Sequence, residues 1–512
     1  MRTRIPDRPR RYVRRQVFVA LSTVVLVMGF PLFVEAKETT GAPQTERFTS
    51  CRLVHPLKVK SIEAECMTIR VREGNETSSR YLDFSIARVP AVSSKRKNDP
   101  IVLLAGGPGM GAQLMYTMSS SAFARARRDR DILLIDQRGT GKSTPLTCSG
   151  AAEDPLAAGQ QGAGIDEFVA LTTVCRDSLA RHHDLRSFTT SQAVRDLEEI
   201  RARLGYDRLN LYGVSYGSRV AQHYAREFPT RVRSMVLDGV VPPQTVLGPD
   251  IAIDAERAVE ALFDRCRKES SCKEAFGDPR LSLREVQSAL RREPISISLP
   301  HPQTGKPFSL SLGATHIATV TRLSTYDPYL AAMLPLVLYE ASRANYRPLA
   351  SLFVMTLSGV SASLAAGMHN SVVCSEDFPR FDRTKVDRQA LETSYLGPMI
   401  FDALSSVCKT WPRGEVDKNF NEPLKSDIPT LLLSGTLDPV TPPSGAALVG
   451  TTLRNSLHVV IENSAHGQLA VPCIDRVFRD FFGDADPKNL DTSCLKRWVA
   501  PPFWTSLSGP PP

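Results

Sequence analysis

Length, composition and charge place this chain among ordinary globular proteins. It has 512 residues, of which 42% are hydrophobic and 23% charged, so it can bury a large core and is not a disordered chain. Its formal net charge is +9, but residues 1–36 hold seven arginines against Asp7 and Glu35, which leaves only +4 for the rest. Because the remaining charges are mixed along the chain, no nucleic-acid-binding surface is expected.

Residues 1–36 have the pattern of a signal peptide. A basic region ends at Arg15, an apolar stretch covers 17–34, and Val34-Glu35-Ala36 offers small residues for cleavage. We therefore expect an exported protein, periplasmic or secreted, whose mature chain begins near Lys37. We expect this segment to contact the membrane only transiently, during export. Because the apolar stretch is just long enough to span a bilayer, an uncleaved membrane anchor is the alternative.

Two early stretches, Cys66–Val71 and Tyr81–Val89, alternate as antiparallel strands do, and we expect them to begin a sheet. A short apolar run at 101–104 then leads into Gly106-Gly107-Pro108-Gly109. This turn is so tight that backbone N–H groups must point outward, as in the loop that supplies an oxyanion donor in hydrolases. Gly107 is the first candidate donor and Gly106 its rival, while a plain glycine turn is the alternative.

A further strand at 132–135 runs into Asp136-Gln137-Arg138-Gly139. Asp136 and Arg138 are interpreted as residues that fix this loop and not as catalytic groups. Neither lies at a position where a nucleophile or its base is expected.

The element Gly213-Val-Ser215-Tyr-Gly217 is typical of a serine nucleophile. The run 209–214 suits a buried strand, and apolar residues recur at helix spacing behind it, at 220, 221, 224, 225 and 228. A sharp strand-to-helix turn would hold Ser215 in a strained conformation with its hydroxyl exposed, and the glycines would let strand and helix approach. The amide of the next residue, Tyr216, is the other expected oxyanion donor. Since the short motif also occurs by chance, its flanks carry the prediction.

Two later strands supply the partners that a serine nucleophile needs. The run Thr430–Gly435 delivers Asp438 into a loop, and the run 457–461 ends in a polar turn that contains His466. The order Ser, Asp, His at the ends of successive strands is that of α/β-hydrolases, so Asp438 is the predicted acid and His466 the predicted base. Taken singly, each could be an ordinary loop residue. The other eight histidines lack such a setting, and none has the spacing of a metal pair.

The quoted motifs together resemble the proline iminopeptidase and tripeptidyl aminopeptidase branch of the α/β-hydrolases. The resemblance extends from about residue 48 to about residue 498 and includes a cysteine-flanked C-terminal part like that of secreted tripeptidyl aminopeptidases. It implies an α/β fold of the α/β-hydrolase type, with a mostly parallel sheet, helices on both faces and an inserted helical cap. It also implies removal of short peptides or single residues from free N-termini, although related sequences include esterases and amidases. Proline iminopeptidases usually carry a histidine where this chain has Ala105, so strict proline specificity does not follow.

The predicted organisation places the cap between two parts of the hydrolase core. After the signal peptide at 1–36, the core occupies 45–244 and 428–498, a helix-rich cap occupies 245–427, and a Pro-rich tail, expected to be disordered, occupies 499–512. A cap at this place in the fold covers the active site and limits the substrate.

Acidic residues of the cap are candidates for binding a substrate's free amine, because a buried ammonium group needs an anionic partner. Glu376 is the first candidate and Asp377 its rival, since both lie beside Cys374 and a disulfide there would hold them still. A solvated acidic turn before Pro379 is the alternative.

Ten cysteines in an exported chain indicate five disulfides. None of them has zinc-ribbon spacing, and short loops favour pairing between neighbours in sequence, although the sequence does not establish connectivity. The expected pairs are Cys51 with Cys66, Cys148 with Cys175, Cys266 with Cys272, Cys374 with Cys408, and Cys473 with Cys494.

The sequence thus predicts an exported serine hydrolase, with an aminopeptidase as the first interpretation. An esterase or amidase that uses the same triad on a small non-peptide substrate is the alternative. A binding protein on a hydrolase scaffold is poorly supported, because such proteins usually lose a triad member. We expect no cofactor and no metal, and the expected partner is the peptide, ester or amide substrate. Peptide length, residue preference and oligomeric state are not predicted.

Overall fold

The computed structural model describes residues 47–74, 78–148, 165–302, 304–382 and 384–510. These residues lie in the compact unit Glu46–Pro512. The signal-peptide and anchor predictions for residues 1–36 fall outside the described residues. Among the described helices, none combines the length and apolar character that crossing a membrane requires.

Nine strands of the described chain form one sheet, in the order β1-β2-β3-β5-β4-β6-β7-β10-β11. The strands β1 to β3 pair antiparallel and β3 joins β5 antiparallel, whereas every later pair is parallel. The strand bounds are β1 Thr49–Val54, β2 Ser61–Arg72, β3 Tyr81–Val89, β4 Lys97–Leu104, β5 Arg130–Ile135, β6 Leu209–Val214, β7 Val232–Asp238, β10 Thr430–Gly435 and β11 Ser456–Ile461.

Helices cover both faces of this sheet, and the central strands therefore carry apolar side chains toward both faces. In β4 the side chains alternate between two core clusters, with Val102 and Leu104 in one and Ile101 and Leu103 in the other. The helices outside the inserted segment, numbered in chain order among those described, are α1 Ala112–Ser119, α2 Ile165–Ala180, α3 Thr190–Arg203, α4 Tyr216–Glu227, α14 Pro443–Gly450 and α15 Ile474–Asp484. The predicted α/β-hydrolase architecture is confirmed.

The chain between β7 and β10 is mostly helical and forms a third hydrophobic cluster. It also holds an antiparallel hairpin, β8 Ile295–Pro300 with β9 Pro307–Leu312, which the helical pattern did not predict. Its helices are α5 Ile251–Lys268, α6 Ser270–Phe276, α7 Pro279–Arg292, α8 Ala314–Ser324, α9 Pro328–Ser342, α10 Arg347–Ser363, α11 Ala366–Val372, α12 Arg388–Thr393 and α13 Met399–Cys408.

The tail is ordered over the residues that are described, so the expectation of disorder at 499–510 is wrong. Phe503 is fully buried in the cluster of the inserted segment, and the Trp504 N–H donates to Ala332 O at 3.1 Å. The Arg265 guanidinium lies 4.0 Å from the centre of the Phe503 ring. Proline content suggested disorder, but burial of apolar surface by two aromatic side chains offsets the conformational entropy lost when the segment is ordered.

All ten cysteines are paired in the order expected from short loops. The bridges join Cys51 to Cys66, Cys148 to Cys175, Cys266 to Cys272, Cys374 to Cys408, and Cys473 to Cys494. Disulfides of this kind form and persist in oxidising compartments.

Candidate active site

Ser215 lies in the turn between β6 and α4. Its backbone has φ 55° and ψ −126°, a conformation that a non-glycine residue adopts only under constraint from its surroundings. A Cβ atom added to Gly213 would lie 2.4 Å from Gly217 O, and one added to Gly217 would lie 2.0 Å from Leu104 O. Both glycines are therefore required for the strand, the turn and the helix to meet.

The loop after β4 lies directly beside Ser215. A Cβ atom added to Gly106 would be 3.1 Å from Ser215 Cβ and 3.6 Å from Ser215 Oγ. Gly107 and Gly109 have φ of 109° and 115°, which are values that favour glycine. The amides of Gly106, Gly107 and Tyr216 donate no hydrogen bond to another described residue, so they are available to an oxyanion. The choice between Gly107 and Gly106 stays open.

Asp438 and His466, which follow β10 and β11, are brought together. Asp438 Oδ2 lies 2.8 Å from His466 Nδ1, and Asp438 Oδ1 accepts the N–H groups of Val440 and Thr441 at 2.9 and 2.8 Å. The carboxylate thus fixes the imidazole with its proton on Nδ1, which leaves Nε2 free to act as a base.

The electrostatics of this pair favour its charged form. Burial acts to raise the pKa of Asp438, but the nearby His466 and the hydrogen bonds from His466 and Thr441 hold that pKa below its usual value. Burial likewise acts to lower the pKa of His466, and the neighbouring Asp438 outweighs it, so that the pKa of His466 is raised.

Ser215 Oγ makes no hydrogen bond to His466 within the described residues. Their loops nevertheless adjoin, since a Cβ atom added to Gly467 would lie 3.5 Å from Val214 Cγ2. Hydrogen bonds between nucleophile and base are often long in unliganded enzymes and shorten when substrate binds.

Sequence reasoning missed two residues near this pair, and the first of them, Thr441, contacts both members. The Thr441 hydroxyl lies 2.7 Å from Asp438 Oδ2 and 3.0 Å from His466 Nδ1. The sequence could have indicated Thr441, because a hydroxyl residue three positions after an acid in a turn has the spacing typical of side-chain capping.

The second missed residue is Asp238, at the end of β7. Its Oδ2 accepts both the Tyr212 hydroxyl and the Gln468 N–H at 2.7 Å, which joins the nucleophile strand to the loop of His466. Its Oδ1 is buried and has no described partner, and burial raises the pKa of Asp238 to about 6. The sequence signal was an acid at the carboxyl end of a strand adjacent to the nucleophile strand.

The two candidate amine-binding acids are both buried and have internal partners. Asp377 forms a two-pronged ion pair with Arg219, with both distances at 3.1 Å. Glu376 accepts the N–H and the hydroxyl of Thr190 at 2.6 and 2.9 Å, while its nearest approach to Arg219 is 3.9 Å. Burial raises the pKa of Glu376 to about 7. Neither carboxylate lies in a solvated turn, which was the alternative to a role in amine binding. That role stays a prediction.

The loop after β5 has the contacts expected of a loop-fixing segment. Asp136 accepts the N–H groups of Gln113 and Lys142, both at 3.0 Å. Arg138 is buried and binds both oxygens of Asp196 at 2.6 Å.

Within the described residues, one group could offer a metal three ligand atoms, namely His223, Glu227 and Asp417. Arg195 already pairs with Asp417, and Arg226 donates to His223 Nδ1 at 3.2 Å. Two arginines bound to the ligand set disfavour a cation there.

The fold and the serine turn define the class of this protein: the chain has the α/β-hydrolase fold and is a serine hydrolase. The family described as "alpha/beta hydrolase fold" matches residues 99–265, and the family described as "TAP-like protein" matches residues 394–494.

Known proteins resemble it along most of its length. Serine protease Hip1 of Mycobacterium tuberculosis is 28% identical over 478 residues, which cover 86% of this chain and 90% of the relative. Tripeptidyl aminopeptidase of Streptomyces lividans is 26% identical over 402 residues, covering 73% and 72%. Among solved structures, proline iminopeptidase of Mycobacterium smegmatis aligns with 82% of this chain and 98% of its own, at 14% identity and a TM-score of 0.40.

Proposed function

We propose that this protein is an exported serine aminopeptidase that releases short peptides or single residues from free N-termini. The observation that carries the proposal is the Asp438–His466 pair, joined at 2.8 Å, beside the strained turn of Ser215. The printed names of the relatives, a serine protease and a tripeptidyl aminopeptidase, support a peptide substrate. The five disulfides support export, to the periplasm or the medium.

In the proposed reaction, Ser215 Oγ attacks the scissile carbonyl carbon while His466 Nε2 takes its proton. The carbonyl oxygen becomes an oxyanion, which the amides of Tyr216 and of Gly107 or Gly106 bind. The carbon–nitrogen bond then breaks, and His466 returns the proton to the leaving amine. Water, deprotonated by His466, releases the acyl product and restores Ser215.

We assign recognition of the substrate's free amine to Glu376. Its carboxylate binds the Thr190 hydroxyl, which in turn lies 2.7 Å from the hydroxyl of Tyr216, the residue whose amide is an oxyanion donor. Asp377 is less suited, because Arg219 already neutralises it. In Glu376→Gln we expect KM for free-amine peptides to rise about 10-fold or more, from loss of a charge-assisted hydrogen bond.

The same variant has an informative control. If hydrolysis of a simple ester falls as much as hydrolysis of the peptides, Glu376 acts by holding Thr190 and not by binding the amine. Asp377→Asn is the matched variant, and we expect it to lower the thermal stability through Arg219 without selective loss of free-amine peptides.

A panel of chromogenic peptides with free and N-acetylated termini, together with short acyl esters, tests the proposed function. An aminopeptidase cleaves the free peptides and not the acetylated ones. Equal rates on both would overturn the aminopeptidase assignment. Cleavage of the esters alone would leave an esterase or amidase with the same triad.

A further inference from the structure

Arg322, on the helix α8 of the inserted segment, has a guanidinium group that no carboxylate neutralises. It forms no ion pair with any described residue, and its one side-chain hydrogen bond runs from Nη2 to the Tyr326 hydroxyl at 2.7 Å. Its Nη1 is buried without a partner. A guanidinium N–H group that is buried without an acceptor opposes folding, and each such group calls for an explanation.

The group lies close to the catalytic histidine. The Tyr326 ring packs edge-on against His466 with centroids 5.1 Å apart, and the Arg322 guanidinium carbon is 5.5 Å from the same tyrosine ring. The guanidinium is therefore no further than about 11 Å from the imidazole, a span that roughly three extended residues cover.

A second unsatisfied donor lies in the same part of the inserted segment. The Tyr395 hydroxyl is buried without a described partner. The backbone oxygen of Tyr395 accepts Gln287 Nε2 at 2.8 Å, and Gln287 lies on α7, which packs against the helix of Arg322. The charge of Arg322 also counteracts the rise that burial causes in the pKa of Tyr395. A guanidinium nitrogen and a phenol together form a common receptor for a carboxylate.

The acids nearest to these donors are already engaged. Glu256 accepts the Tyr395 N–H at 2.9 Å and pairs with Arg280 at 2.8 Å, while Asp438 is held by His466. None of these acids pairs with Arg322, and an anion from outside the chain would satisfy its Nη1 group.

The chemistry of His466 indicates which part of the substrate lies beside Arg322. His466 gives its proton to the leaving amine, so groups that pack against this imidazole face the leaving part of the substrate and not the acyl part. The oxyanion loop after β4 lies directly against Ser215.

We infer that Arg322 and Tyr395 bind the C-terminal carboxylate of the leaving fragment, so that the enzyme selects short free peptides that end within about three residues of the scissile bond. This inference rests on the proposed peptidase function. It identifies the substrates as small peptides with two free ends, such as the products of earlier endoproteolysis, and not as the N-termini of folded proteins.

Alanine peptides from dialanine to hexaalanine, each as the free acid and as the C-terminal amide, test the inference. In the wild type we expect kcat/KM to favour the acid by about 10- to 100-fold in the short peptides, as for a charge-assisted hydrogen bond, with the preference fading in the longer ones. Arg322→Gln and Tyr395→Phe should each bring the ratio of acid to amide toward one. Arg284→Gln, an exposed arginine of α7, is the matched control and should leave that ratio unchanged.

The outcomes separate the two claims. If acid and amide peptides are cleaved equally by the wild type, or if Arg322→Gln keeps the wild-type ratio, the inference is wrong while the peptidase function stands. If no peptide is cleaved at all, the proposed function fails first. Should Arg322→Gln fold poorly by circular dichroism, Tyr395→Phe decides the matter, because it removes only one unsatisfied hydroxyl.

Discussion

Two buried carboxylates, Asp438 and Asp238, act on the same imidazole in different ways. Asp438 binds His466 directly, whereas Asp238 holds the neighbouring loop through Gln468 and contributes to the raised pKa of His466 from a distance. A base must be neutral to accept a proton, so activity should be present above the pKa of His466 and be lost as the pH falls through it.

Asp238→Asn should move the acid limb of the pH profile of kcat/KM to lower pH, because it removes one of the charges that raise the pKa of His466. One oxygen of Asp238 accepts both of its hydrogen bonds, so asparagine can retain them. An unchanged limb would show that Asp238 has no electrostatic role. Asp438→Asn provides the contrast, with an expected loss of about 10⁴ in kcat from the wrong tautomer.

Asp238→Asn should also stabilise the protein at neutral pH. The pKa of Asp238 is raised from 3.8 to about 6, so the native state binds the proton more tightly and loses stability as the pH rises through that interval. Each pKa unit of this shift corresponds to about 1.4 kcal/mol of unfolding free energy. Above pH 6 the wild type has lost this stability, and Asp238→Asn should be more stable by that amount. Denaturant unfolding at several pH values measures it, and a variant less stable than the wild type at pH 8 would contradict the expectation.

Ser215→Ala should lower kcat by about 10⁴ or more and leave the fold intact, since removing one triad member abolishes most of the joint effect. A serine-directed phosphonate should label the wild type at Ser215 only. Labelling at another residue, or an active variant, would show that the nucleophile lies elsewhere.

At the scale of elements, the junction of β4, β6 and α4 depends on backbone contact. Gly217→Ala would force a Cβ atom against Leu104 O and against Ala105 O, and neither backbone group can move without disrupting the sheet. We expect loss of soluble folded protein or a fall of several degrees in Tm, measured by thermal denaturation together with activity.

Gly359→Ala, in the helix α10, is the matched control. A Cβ atom there meets nothing within 4 Å, and alanine has the higher helix propensity, by up to about 1 kcal/mol. The control should therefore be as stable as the wild type or more stable. Equal effects of the two substitutions would show that the junction tolerates a side chain.

At the scale of the whole molecule, the five bridges should make the fold dependent on oxidation. Each should contribute about 2–4 kcal/mol, because it restricts the unfolded chain. Intact mass of the exported protein should match a chain that begins near Lys37, with no alkylation before reduction and ten alkylated sites after it. Denaturing without reductant is the control that separates bridges from buried thiols, and several reactive thiols in that sample would contradict the assignment.

Features that depend on neighbouring residues in the chain were predictable from the sequence. The apolar runs of the parallel strands, the glycines around Ser215, the order of Asp438 and His466 and the short-loop disulfides are all of this kind, because residue type sets local backbone geometry and closure cost. The ends of parallel strands meet at one edge of a sheet, so even the approach of Asp438 to His466 followed from strand order.

Contacts between distant segments were decided only by the tertiary structure. Arg219 forms an ion pair with Asp377, and Asp238 accepts a hydrogen bond from the loop of His466. Arg322 lies beside Tyr326 without a counter-ion among the described residues. Phe503 orders a tail whose composition suggested disorder. The physical reason is that the free energy of a buried charge or ring depends on the partners that folding brings to it, and residue type at one position does not specify those partners.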